Sequence, residues 1–129
     1  MTTTDWLPIS HVTHDGPTAA MRLDIALAGL PRTSGEIASV LNLARVKGNP
    51  HRIDEAPAEV YLSAKVGARV RCTGVSIEIT HDDWRYEMRC PSWLQDFTRD
   101  CWEGLYPLIE GEPSIGTVEC IDIFSGRST

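Results

Sequence analysis

The first third of the chain has its apolar residues at helical spacing. In "GPTAAMRLDIALAGL", Pro17 suits the first turn of a helix, and Gly29 and Pro31 supply stop signals. The apolar residues between them are three or four positions apart: Ala20, Leu23, Leu27 and Leu30. This spacing predicts an amphipathic helix that buries one face.

A second helix is predicted to begin at Thr33. Its hydroxyl can cap the chain while Glu36 reaches back, the pairing known as a capping box. The apolar face consists of Ile37, Val40 and Leu41. Asn42 tolerates the left-handed conformation with which a chain leaves a helix sharply, so Asn42 is the predicted exit.

A third helical segment is predicted after a short polar break. Asn49 is a suitable cap and Pro50 a suitable first residue, with Ile53 and Ala56 pointing inward until Pro57 interrupts the pattern. The three segments together predict a tri-helical core.

The middle of the chain contains strand-like sequence, with one ambiguous stretch. "EVYLSAKVGARVRC" alternates loosely, as in a hairpin that turns near Val66 and Gly67, whereas "AEVYLSAKV" closed by Gly67 is equally typical of another helix. "GVSIEIT" alternates apolar and polar residues and is predicted to be a strand. "HDDW" then forms a turn, and "WRYEMRC" is the returning strand.

A long amphipathic helix is predicted from Ser92, where Gln95 completes an S-x-x-Q capping box, to Pro107, which ends or kinks it. Its apolar stripe consists of Leu94, Phe97, Cys101, Leu105 and Leu108. "TVECIDIF" is predicted to be a last strand before a polar tail. The order of elements predicts an α+β fold with a three-helix core, a β-hairpin, a long helix and a final strand.

The composition fits one intracellular domain. A chain of 129 residues with 42% hydrophobic residues has material for a single core. Its first residues have neither the basic nor the apolar region of a signal peptide, and no stretch approaches the ~20 apolar residues that cross a bilayer. We therefore expect a single domain, residues 1–129, in the cytoplasm and without membrane contact.

Four cysteines and four histidines are the candidates for metal ligands: Cys72, Cys90, Cys101, Cys120, His11, His14, His51 and His81. Only His11 and His14 are close in sequence, whereas a structural zinc site usually includes at least one tight pair of cysteines or histidines. The cysteines are therefore predicted to be small core residues in a reducing compartment. No metal or other cofactor is predicted.

The net charge of −6 is unevenly distributed along the chain. Residues 31–72 contain seven Lys/Arg and four acids, a net charge of +3, whereas residues 73–129 contain four and eleven, a net charge of −7. A basic middle with an acidic remainder is typical of a protein that touches phosphates with one face only, although a charge of +3 also arises on an ordinary solvated surface.

The segment "TSGEIASVLNLARVKGNPHRIDEA" resembles the helix-turn-helix of winged-helix regulators, in which "(T/S)xxEIAxxLGL", a short turn and a second helix recur in that order. Residues 33, 36–38 and 41–43 match the first half, with Asn42 in place of the usual glycine. "RVKGNPHRIDEA" matches the recognition-helix half, although Pro50 departs from the pattern. The resemblance covers about residues 18–56. It implies a winged-helix-like unit at 18–90 and a helix–strand extension at 91–129.

The resemblance implies a small, dimeric regulator of transcription that binds duplex DNA. In such a regulator the second helix enters the major groove, where Asn can pair with adenine and Arg with guanine. The implied base contacts are Asn49, His51 and Arg52, the phosphate contacts are Thr33, Ser34, Arg45 and Lys47, and the wing contacts are Arg69 and Arg71. The same cations are also explained as a solvated surface beside Asp54 and Glu55.

The acidic second half favours a different kind of partner. An acidic "THDDW" turn would repel phosphate at the tip of a wing. Trp102 and Tyr106 lie one turn apart, beside the apolar stripe, as an aromatic edge typical of interface anchors, although core burial is the commoner fate of such residues. The alternative function is an acidic protein-interaction module, such as a phage or mobile-element inhibitor or adaptor that binds a host protein complex. Its candidate contact residues are Trp93, Asp96, Asp100, Trp102 and Tyr106.

Catalysis is not predicted. Four carboxylates cluster around one turn: Glu78, Asp82, Asp83 and Glu87. No nucleophile–base pair and no phosphate-cradling glycine loop accompanies them. A solvated hairpin turn explains these acids with fewer assumptions.

Overall fold

The computed structural model describes residues 16–52, 54–81 and 84–116. The elements follow in the order α1 (Gly16–Ala28), α2 (Ser34–Leu43), α3 (Pro57–Val66), β1 (Arg69–Cys72), β2 (Ser76–His81), β3 (Trp84–Arg89), α4 (Ser92–Trp102) and a 3₁₀ turn (Pro107–Ile109). The predicted α+β class is confirmed. The predicted last strand at 117–124, the turn at Asp82 and Asp83, and the ligand candidates His11, His14 and Cys120 lie outside the described residues.

Helices α1 and α2 form where the apolar spacing predicts them. Thr33 precedes α2 in an extended conformation, and its hydroxyl donates to Glu36 Oε1 at 2.6 Å instead of capping a backbone N–H. The helix continues through Asn42, so the predicted exit at that residue is wrong. The left-handed residue that follows α2 is Arg45, with a φ of 58°.

Helix α3 settles the ambiguous stretch in favour of the helical alternative. Pro57 begins it, because a residue without an N–H loses nothing in a first turn. Gly67 ends it with a φ of 79°, and the Gly67 N–H donates to Ser63 O at 2.8 Å. Every residue of α3 except Lys65 is buried. The helix is therefore an interior element, packed between α1 and β1.

The three strands form an antiparallel meander in the order β1-β2-β3, and the two predicted strands at 74–80 and 84–90 are confirmed. Ile79 lies opposite Val70 on one side and Tyr86 on the other, so its side chain shares their inner face. The outer face is charged and consists of Arg69, Arg71, Glu78, Arg85, Glu87 and Arg89. Arg85 pairs with Glu78 at 3.5 Å.

Helix α4 begins at Ser92, as predicted, but ends at Trp102, five residues before Pro107. Gly104 has a φ of 81°, and Leu105 N–H donates to Asp100 O at 3.1 Å, which is the geometry of a glycine-terminated helix. The first part of the predicted stripe is buried: Leu94, Phe97 and Cys101. Leu105 and Leu108 were predicted to continue it and are instead exposed, because the chain has turned off the helix axis before reaching them.

The core consists of buried residues from α1, α2, α3, α4 and the inner face of the sheet, with α4 packed on α2. Cys72, Cys90 and Cys101 lie in this core as predicted. Among the described residues, no helix has both the length and the apolar character needed to cross a bilayer.

Candidate interaction surface

The connection after α2 is tightly built and starts at Arg45. Arg45 N–H donates to Asn42 O at 3.0 Å and Val46 N–H donates to Leu41 O at 2.9 Å, the two bonds of a Schellman motif. Val46 and Leu41 are both buried, which supplies the apolar contact of this motif. An arginine therefore occupies the left-handed position that usually belongs to glycine.

The backbone of the next two residues, Lys47 and Gly48, pairs with the chain that follows α4. Lys47 forms a bridge with Ser114, and Gly48 forms a bridge with Glu110. On the other side of Gly48, an added Cβ would lie 2.5 Å from Glu55 O and 2.6 Å from Pro57 N. The connection is therefore held between two backbone segments.

The predicted third helix is wrong: the described residues between Asn49 and Ala56 form turns. Asn49 Oδ1 accepts from the His51 N–H at 3.0 Å, and Asn49 N–H donates to Glu55 O at 2.7 Å. An asparagine side chain that bonds to the backbone two residues ahead stabilises a turn in competition with a helix. Ile53 lies outside the described residues. The next helix, α3, is too deeply buried to enter a DNA groove.

The residues predicted to contact DNA are only partly brought together. Arg45, Lys47, His51 and Arg52 are exposed in the connection between α2 and α3, and we call these four residues the exposed edge. Lys47 Nζ donates to Leu108 O at 3.0 Å, and Arg52 pairs with Glu55 at 3.7 Å. Asn49 and His51 line a shallow pocket together with Glu110 and Glu112. These acids lie where a phosphate would have to approach.

The other predicted DNA contacts lie elsewhere. Thr33 is exposed beside Glu36, and Ser34 shares a hydrogen bond of 2.6 Å with the Tyr106 hydroxyl. Arg69 pairs with Asp54, and Arg71 is exposed on the outer face of the sheet, opposite Glu78. The tip of the β2–β3 hairpin lies outside the described residues.

The residues predicted to bind a protein partner differ in exposure. Trp93 is half-buried under the Arg32 guanidinium, which lies 4.4 Å from the ring centre. Tyr106 is half-buried and stacks on Phe97 at 5.8 Å between ring centres. Trp102 is 58% exposed and contacts the His51 ring edge-on at 4.5 Å. The predicted aromatic edge is therefore represented at the surface mainly by Trp102.

The two predicted acids, Asp96 and Asp100, flank one arginine on α4. Arg99 lies 3.4 Å from Asp96 and 3.8 Å from Asp100. Residues 92–112 contain five carboxylates and this single arginine, a net charge of −4. The surface around α4 is consequently acidic.

Three large apolar side chains are exposed at the end of α4, and we call them the apolar rim: Trp102, Leu105 and Leu108. Their exposed fractions are 58%, 56% and 68%. Leu105 and Leu108 border an open groove of about 360 Å³ whose opposite wall is formed by small α2 residues, including Gly35, Ala38 and Ser39. Gly104 is the sequence signal that could have predicted this rim. A glycine at this position indicates that the helix ends near Trp102 and that Leu105 and Leu108 do not continue its buried face.

A larger cavity lies behind Trp102, and Glu59 of α3 forms part of its wall. Glu59 is 2% exposed, and this burial raises the pKa of its carboxyl from 4.5 to about 8. Burial likewise raises the pKa of the Cys101 thiol to about 12, so this thiol is protonated and inert at neutral pH. In the part of the chain that the structure describes, no three His, Cys, Asp or Glu side chains are grouped as metal ligands.

Replacing Arg45 with glycine should stabilise the protein by about 1 kcal/mol, because glycine adopts a positive φ without a Cβ penalty. Urea unfolding measures this change. Arg52→Gly serves as the comparison, since Arg52 has no positive φ to relieve. Equal effects of the two substitutions would contradict the account of the connection after α2.

No family model matches this chain, and no curated protein or solved structure is significantly similar to it.

Proposed function

We propose that this protein is a protein-interaction module whose docking surface is the apolar rim together with the acidic residues around α4. The observation that carries the proposal is the exposure of Trp102, Leu105 and Leu108 between the end of α4 and the following 3₁₀ turn. Exposed apolar groups cost free energy in water, about 25 cal/mol for each Å² that a partner does not cover. Exposed aromatic residues such as Trp102 are frequent anchors of protein interfaces.

The charges around the rim indicate the kind of partner. Glu103 and Glu112 are exposed, Glu110 is half-buried, and Asp96 and Asp100 share one arginine. Like charges across an interface are repelled, so a partner that is basic next to its apolar contact is favoured. We therefore extend the proposal to the alternative that the acidic sequence predicts, an adaptor or inhibitor that binds a host protein complex.

DNA binding is the second candidate, and the exposed edge formed by Arg45, Lys47, His51 and Arg52 favours it. The geometry supports it less well than docking to a protein. A winged-helix reader inserts a helix into the major groove, whereas this edge consists of turns. Glu110 and Glu112 also border it.

The experiment that separates the two candidates is affinity capture from a lysate of the native host, after nuclease treatment. We expect a protein partner that is retained by the wild type and lost with Trp102→Ala, since truncating an aromatic anchor at an interface hot spot costs about 2 kcal/mol or more, about 30-fold in affinity. Tyr86→Ala is the matched control, because Tyr86 is an aromatic residue of the edge strand β3 that remains 40% exposed although it shares the inner face of the sheet. Equal capture by the two variants would contradict the proposal.

Duplex DNA provides the complementary test. Arg45→Gly removes a cation from the exposed edge and relieves its positive φ, so the variant remains folded. An interaction module keeps its protein partner after this change and shows no salt-dependent binding to duplex. Duplex binding that falls steeply with salt and weakens with Arg45→Gly would support the regulator instead.

A further inference from the structure

The cavity behind Trp102 has the volume of a ligand site. It measures about 500 Å³ and lies between α4, the end of β1 and the turns at 50–56. Binding pockets for small ligands occupy roughly 300–1,000 Å³. Its wall contains Trp102, Glu59, Gln95 and Thr98, which offer an aromatic ring and several hydrogen-bonding groups.

The Glu59 carboxyl has an unused oxygen. Its Oε2 accepts from the Cys72 N–H at 3.4 Å, whereas its Oε1 is buried and has no hydrogen-bond partner among the described residues. A buried polar atom without a partner costs about 1–3 kcal/mol. A ligand that brings a hydrogen-bond donor to Oε1 would recover this cost once the carboxyl turns toward the cavity, since Oε1 is closed to solvent in this structure.

The two arginines that line the cavity are offset by acids. Arg52 pairs with Glu55 at 3.7 Å, and Arg99 pairs with Asp96 at 3.4 Å and Asp100 at 3.8 Å. Asp96 belongs to the wall itself, whereas Glu55 and Asp100 lie next to it through these ion pairs. An anion entering the cavity would therefore meet arginines that are already paired.

Trp102 adds a second feature that suits a cation. Its ring is 58% exposed and is steadied by the edge-on contact with His51 at 4.5 Å. Ammonium and guanidinium groups are attracted to the face of an indole ring, with about 0.5–2 kcal/mol gained according to the degree of desolvation. A ligand with a cationic head and an apolar stem would contact Trp102 on its way to Glu59.

We propose that this cavity receives a basic side chain, arginine or lysine, from the partner protein, with its cationic group donating to Glu59 Oε1 and its stem lying against Trp102. The inference rests on the proposed function and specifies the chemistry of the partner. The partner then covers the apolar rim around this basic side chain, and the cavity determines that the side chain is basic.

Binding of the cation is coupled to release of a proton. Because burial raises the pKa of Glu59 to about 8, the carboxyl of the empty cavity is mostly protonated at pH 7. A cation beside Oε1 favours the carboxylate, so affinity rises from pH 6 to pH 8.5. The other ionisable groups that face Glu59 or line the cavity are Asp54, Cys72, Cys90, His51, Arg52, Asp96 and Arg99.

The test uses N-acetyl-arginine amide and N-acetyl-lysine amide as probes, with N-acetyl-citrulline amide as the uncharged counterpart of the arginine probe. Binding is followed by the indole N–H resonance of Trp102 in ¹⁵N NMR, which Trp102→Phe assigns. We expect at least one cationic probe to bind at least tenfold more tightly than citrulline. Glu59→Gln, which keeps the shape and the acceptor for Cys72 N–H, should abolish this preference, whereas Glu87→Gln on the outer face of the sheet should leave it unchanged.

Calorimetry of the wild type in two buffers of different ionisation enthalpy supplies a measurement that depends on no variant. Proton release on binding of the cationic probe is expected at pH 7. Equal binding of citrulline and arginine, or unchanged binding by Glu59→Gln, would overturn the inference. If partner capture is lost with Trp102→Ala while Glu59→Gln retains full affinity, the docking surface is supported and the binding of a basic side chain at Glu59 is contradicted. If Trp102→Ala leaves capture intact, the proposed function itself falls.

Discussion

Gly48→Ala should destabilise the protein by about 3 kcal/mol or more, or prevent folding, because the added methyl group has no space. Its Cβ would lie 2.5 Å from Glu55 O, 2.6 Å from the Ala56 carbonyl carbon and 2.6 Å from Pro57 N. All three are backbone atoms, which cannot move aside as a side chain does. Relief would require displacing the start of α3, the most buried helix of the fold. Urea unfolding, or the yield of folded protein, measures the effect.

Gly35→Ala is the matched control for this substitution. Gly35 lies in the first turn of α2, and an added Cβ would have no atom within 4 Å. Alanine has a higher helix propensity than glycine, so this variant should be as stable as the wild type or up to about 1 kcal/mol more stable. If Gly48→Ala were as stable as Gly35→Ala, the close packing of the 44–49 connection against residues 55–57 would be wrong.

Glu59 should make the stability of the protein fall as the pH rises. The folded-state pKa of about 8 is above the ordinary value of 4.5, so between these values the folded chain binds a proton that the unfolded chain has lost. The free energy of unfolding therefore decreases from pH 4.5 to about pH 8, by an amount of the order of 4 kcal/mol. Below pH 4.5 both states are protonated, and Glu59 contributes no slope.

The comparison of wild type with Glu59→Gln isolates this effect from that of the other acids. Glutamine remains neutral, so its stability relative to wild type should increase steadily between pH 5 and pH 8.5. Denaturant midpoints at four or five pH values measure the difference. Glu87→Gln, on the outer face of β3, controls for loss of a negative charge and should follow the wild type. A constant difference between wild type and Glu59→Gln would show that the carboxyl is not held in its neutral form.

The sequence predicts the elements of this fold better than it predicts the site. Helix α1, the start of α2 and the two β-strands at 74–90 follow from apolar spacing, because each buries one regular face. The pattern at 57–66 does not distinguish helix from strand, because a helix buried on all sides has no polar face and its periodicity is weak.

The turns after Asn49 show why the site was harder to predict. Pro50 and Asn49 are favourable residues at the start of a helix, but they are equally favourable in turns. The turn prevails because Gly48 is bonded to Ile109 and Gly111, which are far away in the sequence, and Asn49 is bonded to Glu55. Local propensity does not contain this information, and neither does the family pattern that residues 33–43 resemble.

The apolar spacing does not predict the apolar rim, because it extends α4 beyond Trp102, where the helix ends. Leu105 and Leu108 continue the spacing of Leu94, Phe97 and Cys101, so periodicity assigned them to the core. Gly104 ends the helix in a left-handed conformation and places them at the surface. The sequence predicts Trp102 as a contact residue. It does not predict the cavity beside Trp102, whose wall includes Glu59.

Amide hydrogen exchange of the captured complex, compared with the free protein, tests the location of the docking surface most directly. We expect the partner to slow exchange in residues 49–52 and 92–112, which surround Trp102, and to leave the outer face of β2 and β3 unchanged. Protection confined to the sheet or to α1, with no change around Trp102, would contradict the account.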